Sequence, residues 1–247
     1  MGHGKRAKER NGMSVKQVAM VSGVVVLIVI VGVVIAIAVN TSRGGNAAAP
    51  PSGTGTGATG TGETVAFYGD SYTLGTGASD LCNRWSTVVS AERNWREVNP
   101  SVNGLGFVNN RSAFDGNDLP EAIIASDPDI VFVTMGLNDN FSFASRSEQI
   151  EQQITDDLTR LKRALPDARF IVVEPFWYTD ERPESVETII GWVAAAAAAI
   201  DADYIAGASR WIEGHPEWMA SDGLHPNDEG YAEMAKRMDE ELRALGL

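Results

Sequence analysis

The sequence is short of three things. It has one cysteine, Cys82, in 247 residues, so no intrachain disulfide can form and stability must come from a packed core. Cys82 itself is expected as a small, partly buried side chain. There are three histidines, and only His215 and His225 lie beyond the N-terminal tail. No His, Cys, Asp and Glu fall at metal-ligand spacing and no glycine loop is of the phosphate-cradling kind, so neither a metal nor a cofactor is expected. Positive charge is also scarce. The chain carries 20 Lys/Arg against 33 Asp/Glu, and six of the former but only Glu9 of the latter precede residue 63, which leaves a net charge of −18 on 63–247. Such a surface excludes nucleic acid and anionic lipid as partners.

What the N-terminal part does have is a basic tail, 1–17, with Lys5, Arg6, Lys8, Arg10 and Lys16, followed by an uncharged apolar run over 18–39. As a helix that run is roughly 33 Å long, enough to cross a bilayer. The basic flank places the tail in the cytoplasm and everything after residue 39 outside it. A retained single-pass signal anchor is expected. The competing reading is a signal peptide cut after Ala36-Ile37-Ala38, which gives a secreted protein. Residues 40–62 are rich in Gly, Thr, Ala and Pro and read as a flexible linker with a reach of roughly 25 Å.

Residues 63–247 alternate short apolar runs with helix-patterned stretches. Strands are expected at 64–68, 106–109, 130–135, 169–174 and 204–205. Helices are expected at 84–92, 119–125, 148–164, 185–200 and 228–244. This alternation predicts an α/β domain with a mostly parallel sheet covered on both faces. Sites on such sheets gather at the carboxyl ends of the strands. Gly69-Asp70-Ser71 falls at one such end and Gly136-Leu137-Asn138-Asp139 at another.

A serine becomes a nucleophile when a base takes its proton and an acid orients the base. His225 has Asp222 three residues before it, in a loop that Pro226 keeps out of a helix. The two side chains can face one another and leave the second ring nitrogen for Ser71. His215 has Ile212 at the equivalent position and reads as an exposed loop histidine. Asn138 offers a side-chain amide to a developing oxyanion, and the Ser71 N–H offers a second donor. Asp70 reads as a support for the turn, and Gly75 and Gly77 as residues that let the chain lie low beside Ser71. The Ala run at 194–199 reads as helix packed on the sheet.

Three blocks, Gly69-Asp70-Ser71-Tyr72, Gly136-x-Asn138-Asp139 and Asp222-x-x-His225-Pro226, resemble those of the SGNH (GDSL-type) hydrolase family, in the family's order and across about residues 64–246. The resemblance implies a three-layer α/β/α sandwich with a five-stranded parallel sheet of flavodoxin-like order. It implies Ser71 as nucleophile, His225 as base, Asp222 as orienting acid, and an oxyanion hole from Ser71, a glycine and Asn138. The block after strand two departs from the family pattern. Arg111 stands in the asparagine slot, and Gly116 is the glycine expected to donate. The nucleophile turn is not the G-x-S-x-G elbow, because Thr73 stands where that motif needs glycine.

The expected activity is hydrolysis of short acyl esters, acetyl above all, on an envelope carbohydrate or another polar alcohol. A lipase or lysophospholipase, an acyltransferase and a non-catalytic binding module are the rivals. Phe114, Phe141, Phe143, Phe176 and Trp177 would line an acyl groove if long chains were the substrate. Phe176, Trp177 and Tyr178, like Trp211 and Trp218, are otherwise expected as sugar-stacking or packing residues.

Overall fold

The computed structural model describes residues 57–114 and 118–247. The tail, the apolar run 18–39 and most of the linker lie outside the described residues, as does Gly116. Contacts divide the chain into Met1–Pro51 and Ser52–Leu247, and the elements below belong to the second unit. Among the described residues no helix is long and apolar enough to cross a membrane.

Five strands, β1 (Thr64–Tyr68), β2 (Arg96–Val98), β3 (Ile130–Val133), β4 (Arg169–Val173) and β5 (Asp203–Ile205), form one sheet in the order β2-β1-β3-β4-β5. Every pairing is parallel, with Val65 beside Ile130 and Val131 beside Phe170. The helices are α1 (Ser71–Leu74), α2 (Trp85–Glu92), α3 (Leu119–Ala125), α4 (Phe143–Ala164), α5 (Glu184–Ala199) and α6 (Asp228–Ala244).

Strand alternation divides the core in two. Val65, Phe67, Ile130, Phe132, Ile171 and Val173 face α2 and α6, where Trp85, Val89, Met234 and Met238 meet them. Ala66, Tyr68, Val131, Val133 and Val172 face α3, α4 and α5, with Ile123, Ile154, Leu158 and Val193. β1 and β3 are buried along their whole length, as central strands of a parallel sheet covered on both faces must be. Ala196 and Ala197, within the alanine run, are buried on the second face.

The expected second strand is corrected. Residues 106–109 form a loop, and the strand is Arg96–Val98. Its pattern is polar because it is the edge strand. Arg96 reaches back to Thr64 Oγ1, and Glu97 is buried against Arg84, Ser86 and Thr87 of the α2 segment. The outer side of that edge is not bare. Residues 57–62, the end of the expected linker, run beside it, with Thr59 bridging antiparallel to Arg96 and Gly60 N–H donating to Trp95 O at 3.1 Å. A side chain at Gly60 would sit 2.1 Å from Asn94 O. This contact protects the edge. Cys82 is exposed, not partly buried, on the short turn before α2.

Candidate active site

The carboxyl ends of β1 and β3 bring the Ser71 turn and the Asn138 loop together. Asp70 caps α1: its Oδ1 accepts from Tyr72 N–H at 3.0 Å, as a short acidic side chain at an N-cap does. Ser71 is the first residue of the helix and is buried to 4% exposure. The buried side-chain atoms without partners among the described residues are Ser90 Oγ, Arg93 Nε and Tyr204 OH. Ser71 Oγ is not one of them, although no hydrogen bond among the described residues engages it. It is therefore within reach of solvent.

The loop before α6 supplies the imidazole. Asp222 Oδ2 lies 2.7 Å from His225 Nδ1, and Asp222 Oδ1 accepts from the N–H groups of Leu224 and His225 at 2.9 and 3.0 Å. One carboxylate thus holds both the ring and the loop that carries it. Backbone bonds close the loop, with Ala220 N–H donating to His225 O and Asn227 N–H to Trp218 O. Partial burial works to raise the Asp222 carboxyl, but the bonds from the His225 ring and the two N–H groups outweigh it and leave the group below the usual carboxylate range. Tyr72 OH donates to Leu224 O at 2.7 Å, and its ring lies 6.1 Å from that of His225. Gly77, at φ +97°, packs so closely that a side chain there would meet Pro226 O at 2.4 Å and His225 Cβ at 3.1 Å. These contacts seat the His225 loop on the Ser71 turn. The Oγ of Ser71 and the free ring nitrogen are not hydrogen-bonded to each other among the described residues.

Asn138, buried to 7% exposure, stands beside Asp70. Its Nδ2 donates to Leu105 O at 2.9 Å and to Asp70 Oδ2 at 3.2 Å. The next residue, Asp139, is fully buried and accepts from three successive backbone N–H groups, those of Phe107, Val108 and Asn109, at 2.8, 2.8 and 3.1 Å. A side chain at Gly106 would strike that carboxylate at 2.6 Å. Burial raises the Asp139 carboxyl, and the three N–H bonds only partly counter it. This carboxylate is why the apolar segment 106–109 is a loop: its backbone donors are satisfied by a side chain instead of a neighbouring strand.

Arg111 does not face Ser71. It donates twice to Asp157, at 2.6 and 2.8 Å, and once to Asp118, while Tyr68 OH donates to Asp157 at 2.6 Å. It anchors the crossover after β2 to α4. Gly116 is outside the described residues, but another glycine of the crossover is well placed. Gly104, at φ +69°, lies between Asn103, whose Oδ1 meets Thr76 Oγ1, and Leu105, whose carbonyl takes Asn138. Val102 N–H donates to Gly69 O, and the Gly104 N–H has no partner among the described residues. A strand at 106–109 puts the glycine that follows it at Gly116. With the strand at Arg96–Val98, Asn99, Ser101 and Gly104 follow it directly.

Most of the aromatic candidates are packing residues. Phe176 and Trp177 are buried, Phe176 stacking on Tyr72 at 5.7 Å, and Trp211 and Trp218 are in the same core. Phe143 stacks on Trp192 and Phe114 is half-buried, whereas Phe141 stands 53% exposed. His215 stacks on Trp218 and bonds Glu217, which leaves it half-exposed. Clefts of about 520 Å³ at Arg93 and Asp239 and about 560 Å³ at Arg111 and Arg146 include neither Ser71 nor His225, so the site is located by its chemistry and not by volume. Among the described residues no group of His, Cys, Asp and Glu could hold a metal ion.

Residues 67–233 match the GDSL-like lipase/acylhydrolase family. Among known proteins the chain is similar to a GDSL lipase of Mycobacterium tuberculosis, 27% identical over 190 residues that cover 70% of this chain and 79% of the relative. Among solved structures it is similar to a psychrotrophic esterase from Pseudoalteromonas sp., with a TM-score of 0.59 and 14% identity over 74% of this chain and 98% of the other. It is also similar to an acetylxylan esterase from Geobacillus stearothermophilus, with a TM-score of 0.57 and 20% identity over 77% and 97%.

Proposed function

The chain belongs to the GDSL-like lipase/acylhydrolase family, is on that ground a serine hydrolase of ester bonds, and from this premise we propose that it removes short acyl groups, acetyl above all, from a carbohydrate or similar polar alcohol outside the cytoplasm. In this reading Ser71 Oγ attacks the ester carbonyl as its proton passes to the free ring nitrogen of His225. Asp222, 2.7 Å from Nδ1, fixes the ring and stabilises the imidazolium. The Ser71–His225 contact closes to hydrogen-bonding distance as substrate enters, which is common for catalytic hydrogen bonds. The tetrahedral oxyanion takes donors from the Ser71 N–H, the Gly104 N–H and the Asn138 amide. Collapse expels the alkoxide, which takes the proton from His225. Water, deprotonated by His225 in turn, releases the acid from Ser71.

The observation that carries the proposal is the Asp222–His225 pair seated on the Ser71 turn. For the acyl group, the burial of Phe176 and Trp177 and the packing of Phe143 leave Phe141 as the one well-exposed phenyl ring of the five aromatics proposed for a long-chain groove, which supports a small acyl pocket. The similarity to an acetylxylan esterase supports the alcohol. The location outside the cytoplasm, on a single-pass anchor or secreted, rests on the charge asymmetry around 18–39.

The test is a series of nitrophenyl esters from two to eight carbons, with Ser71→Ala as control. We expect kcat/KM to fall steeply with chain length and Ser71→Ala to lose hydrolysis and fluorophosphonate labelling together. A kcat/KM that rises through octanoyl would replace this reading with a lipase. Labelling without turnover would point to transfer of the acyl group to another acceptor.

A further inference from the structure

Asp70 has two carboxylate oxygens with two different tasks. Oδ1 caps α1 through Tyr72 N–H, and Oδ2 accepts from Asn138 Nδ2. The cap alone does not call for an acid, because asparagine or serine caps a helix as well. The second task does. An asparagine at 70 has one carbonyl oxygen and cannot accept from Tyr72 and Asn138 at separate atoms. The amide of Asn138 has two N–H groups, and both are engaged, one by Leu105 O and one by Asp70. To donate to an oxyanion the amide must release Leu105 O, and Asp70 is then the tether that keeps the side chain in place.

We propose that Asp70 is a positioning residue whose ionised carboxylate holds the Asn138 amide in the orientation in which it meets the oxyanion, although Asp70 itself does not contact the reacting atoms. This rests on the reading of Asn138 as an oxyanion donor. The arrangement is an uncomfortable one for a carboxylate. Asp70 is 1% exposed, and no cation bonds it among the described residues. The titratable groups around it are Asp139 from the loop after β3, Tyr72 on its own helix, Tyr231 from α6, and Asp222 and His225 from the loop before α6. Arg84, on the same side, is taken up by Glu97 and Leu74 O. Burial raises the Asp70 carboxyl, the Tyr72 N–H lowers it, the Asp139 charge raises it, and the result is about 7. Below that pH the protonated acid no longer accepts from Asn138 as a carboxylate.

The experiment uses the full chain and nitrophenyl acetate. Asn138→Ala should lower kcat by about 10²–10³; an unchanged kcat would remove the premise and the inference with it. Asp70→Asn should lower kcat by about 10–100-fold with KM within about twofold. On the Asn138→Ala background it should add less than about twofold, because Asp70 acts through Asn138. If Asn138→Ala is impaired but the two losses multiply, the donor reading stands and the positioning role is overturned. The pH profile gives a second arm that needs no Asp70 variant. Protonating Asp70 loosens the same contact that Asp70→Asn removes, so on the acid side kcat should fall by about 10–100-fold more in the parent than in Asn138→Ala, where the contact is already gone, and identical acid limbs in the two proteins would overturn the proposal even if Asp70→Asn fails to fold.

Discussion

Two acids flank the Ser71 turn, and they are held in opposite ways. Asp222 sits in a loop with its side chain 48% exposed and its carboxyl below the usual range, because the His225 ring and two backbone N–H groups bond the charged form. Asp139 is wholly buried, and its carboxyl is raised despite three backbone N–H groups. Hydrogen bonding is generous at both, so burial makes the difference. The exposed acid has the His225 imidazole as its partner, which in the proposed reaction takes up and gives back a proton. The buried acid has only fixed partners, the backbone of the crossover after β2. Asp222 therefore reads as an acid spent on chemistry and Asp139 as one spent on shape. The assignment can be broken by asking each residue to fail at the other's task.

The largest effect is expected from Asp222→Asn measured by turnover. An amide at this position can still accept from the loop N–H groups, but it favours the wrong ring tautomer when its NH₂ faces Nδ1. A loss of kcat on the order of 10³–10⁴ is expected, as for triads of this kind. Steady-state kinetics on nitrophenyl acetate would measure it. A loss of less than tenfold would mean that the acid orients the loop and not the base.

Asp139→Asn should show its effect first in stability. The substituted NH₂ meets an N–H donor where a carboxylate oxygen accepted, so one buried backbone donor loses its partner. That costs about 1–3 kcal/mol, or roughly 2–10 °C in Tm for a domain of this size. Calorimetry would read it. An unchanged Tm would show that the crossover does not depend on this carboxylate, and the contrast with Asp222 would lose its second half.

How much of this was legible follows from the same contrast. β1, β3 and β4 were readable because their burial is written as continuous apolar runs, and α3 and α6 because cap and periodicity agree. The Asp222–His225 pair was readable because it is local, three residues apart in a loop that Pro226 keeps extended. Asp139 and its three N–H partners lie 30 to 32 residues apart, and Asp70 and Asn138 lie 68 apart. No periodicity carries such pairs. Their absence from the sequence reading had a direct consequence. Without the Asp139 clasp, Gly106-Phe107-Val108-Asn109 looks like a strand, and the polar edge strand Arg96–Val98 looks like a loop. A strand at 106–109 points to Gly116, which lies outside the described residues, whereas the strand at Arg96–Val98 brings Gly104 into consideration. Asp70 reads from the sequence as a support for its turn, and its cap on Tyr72 N–H agrees, but no local pattern carries its hold on Asn138.

The smallest effect sharpens the comparison most. Asp222→Asn should barely change stability at neutral pH. The Asp222 carboxyl is depressed in the folded chain, so its contribution is present above the unfolded value near 4 and is lost as the pH falls through the lower folded value. The side chain is half exposed, and solvent screens the pair, so the contribution at pH 7 should be no more than about 0–1 kcal/mol. The same variant is expected to lose three or more orders of magnitude in turnover. Urea unfolding of parent and variant at pH 7 would measure the stability half. If Asp222→Asn proved as destabilising as Asp139→Asn, the exposed acid would be a structural clasp like the buried one, and its loss of activity would follow from a displaced loop instead of a misoriented base.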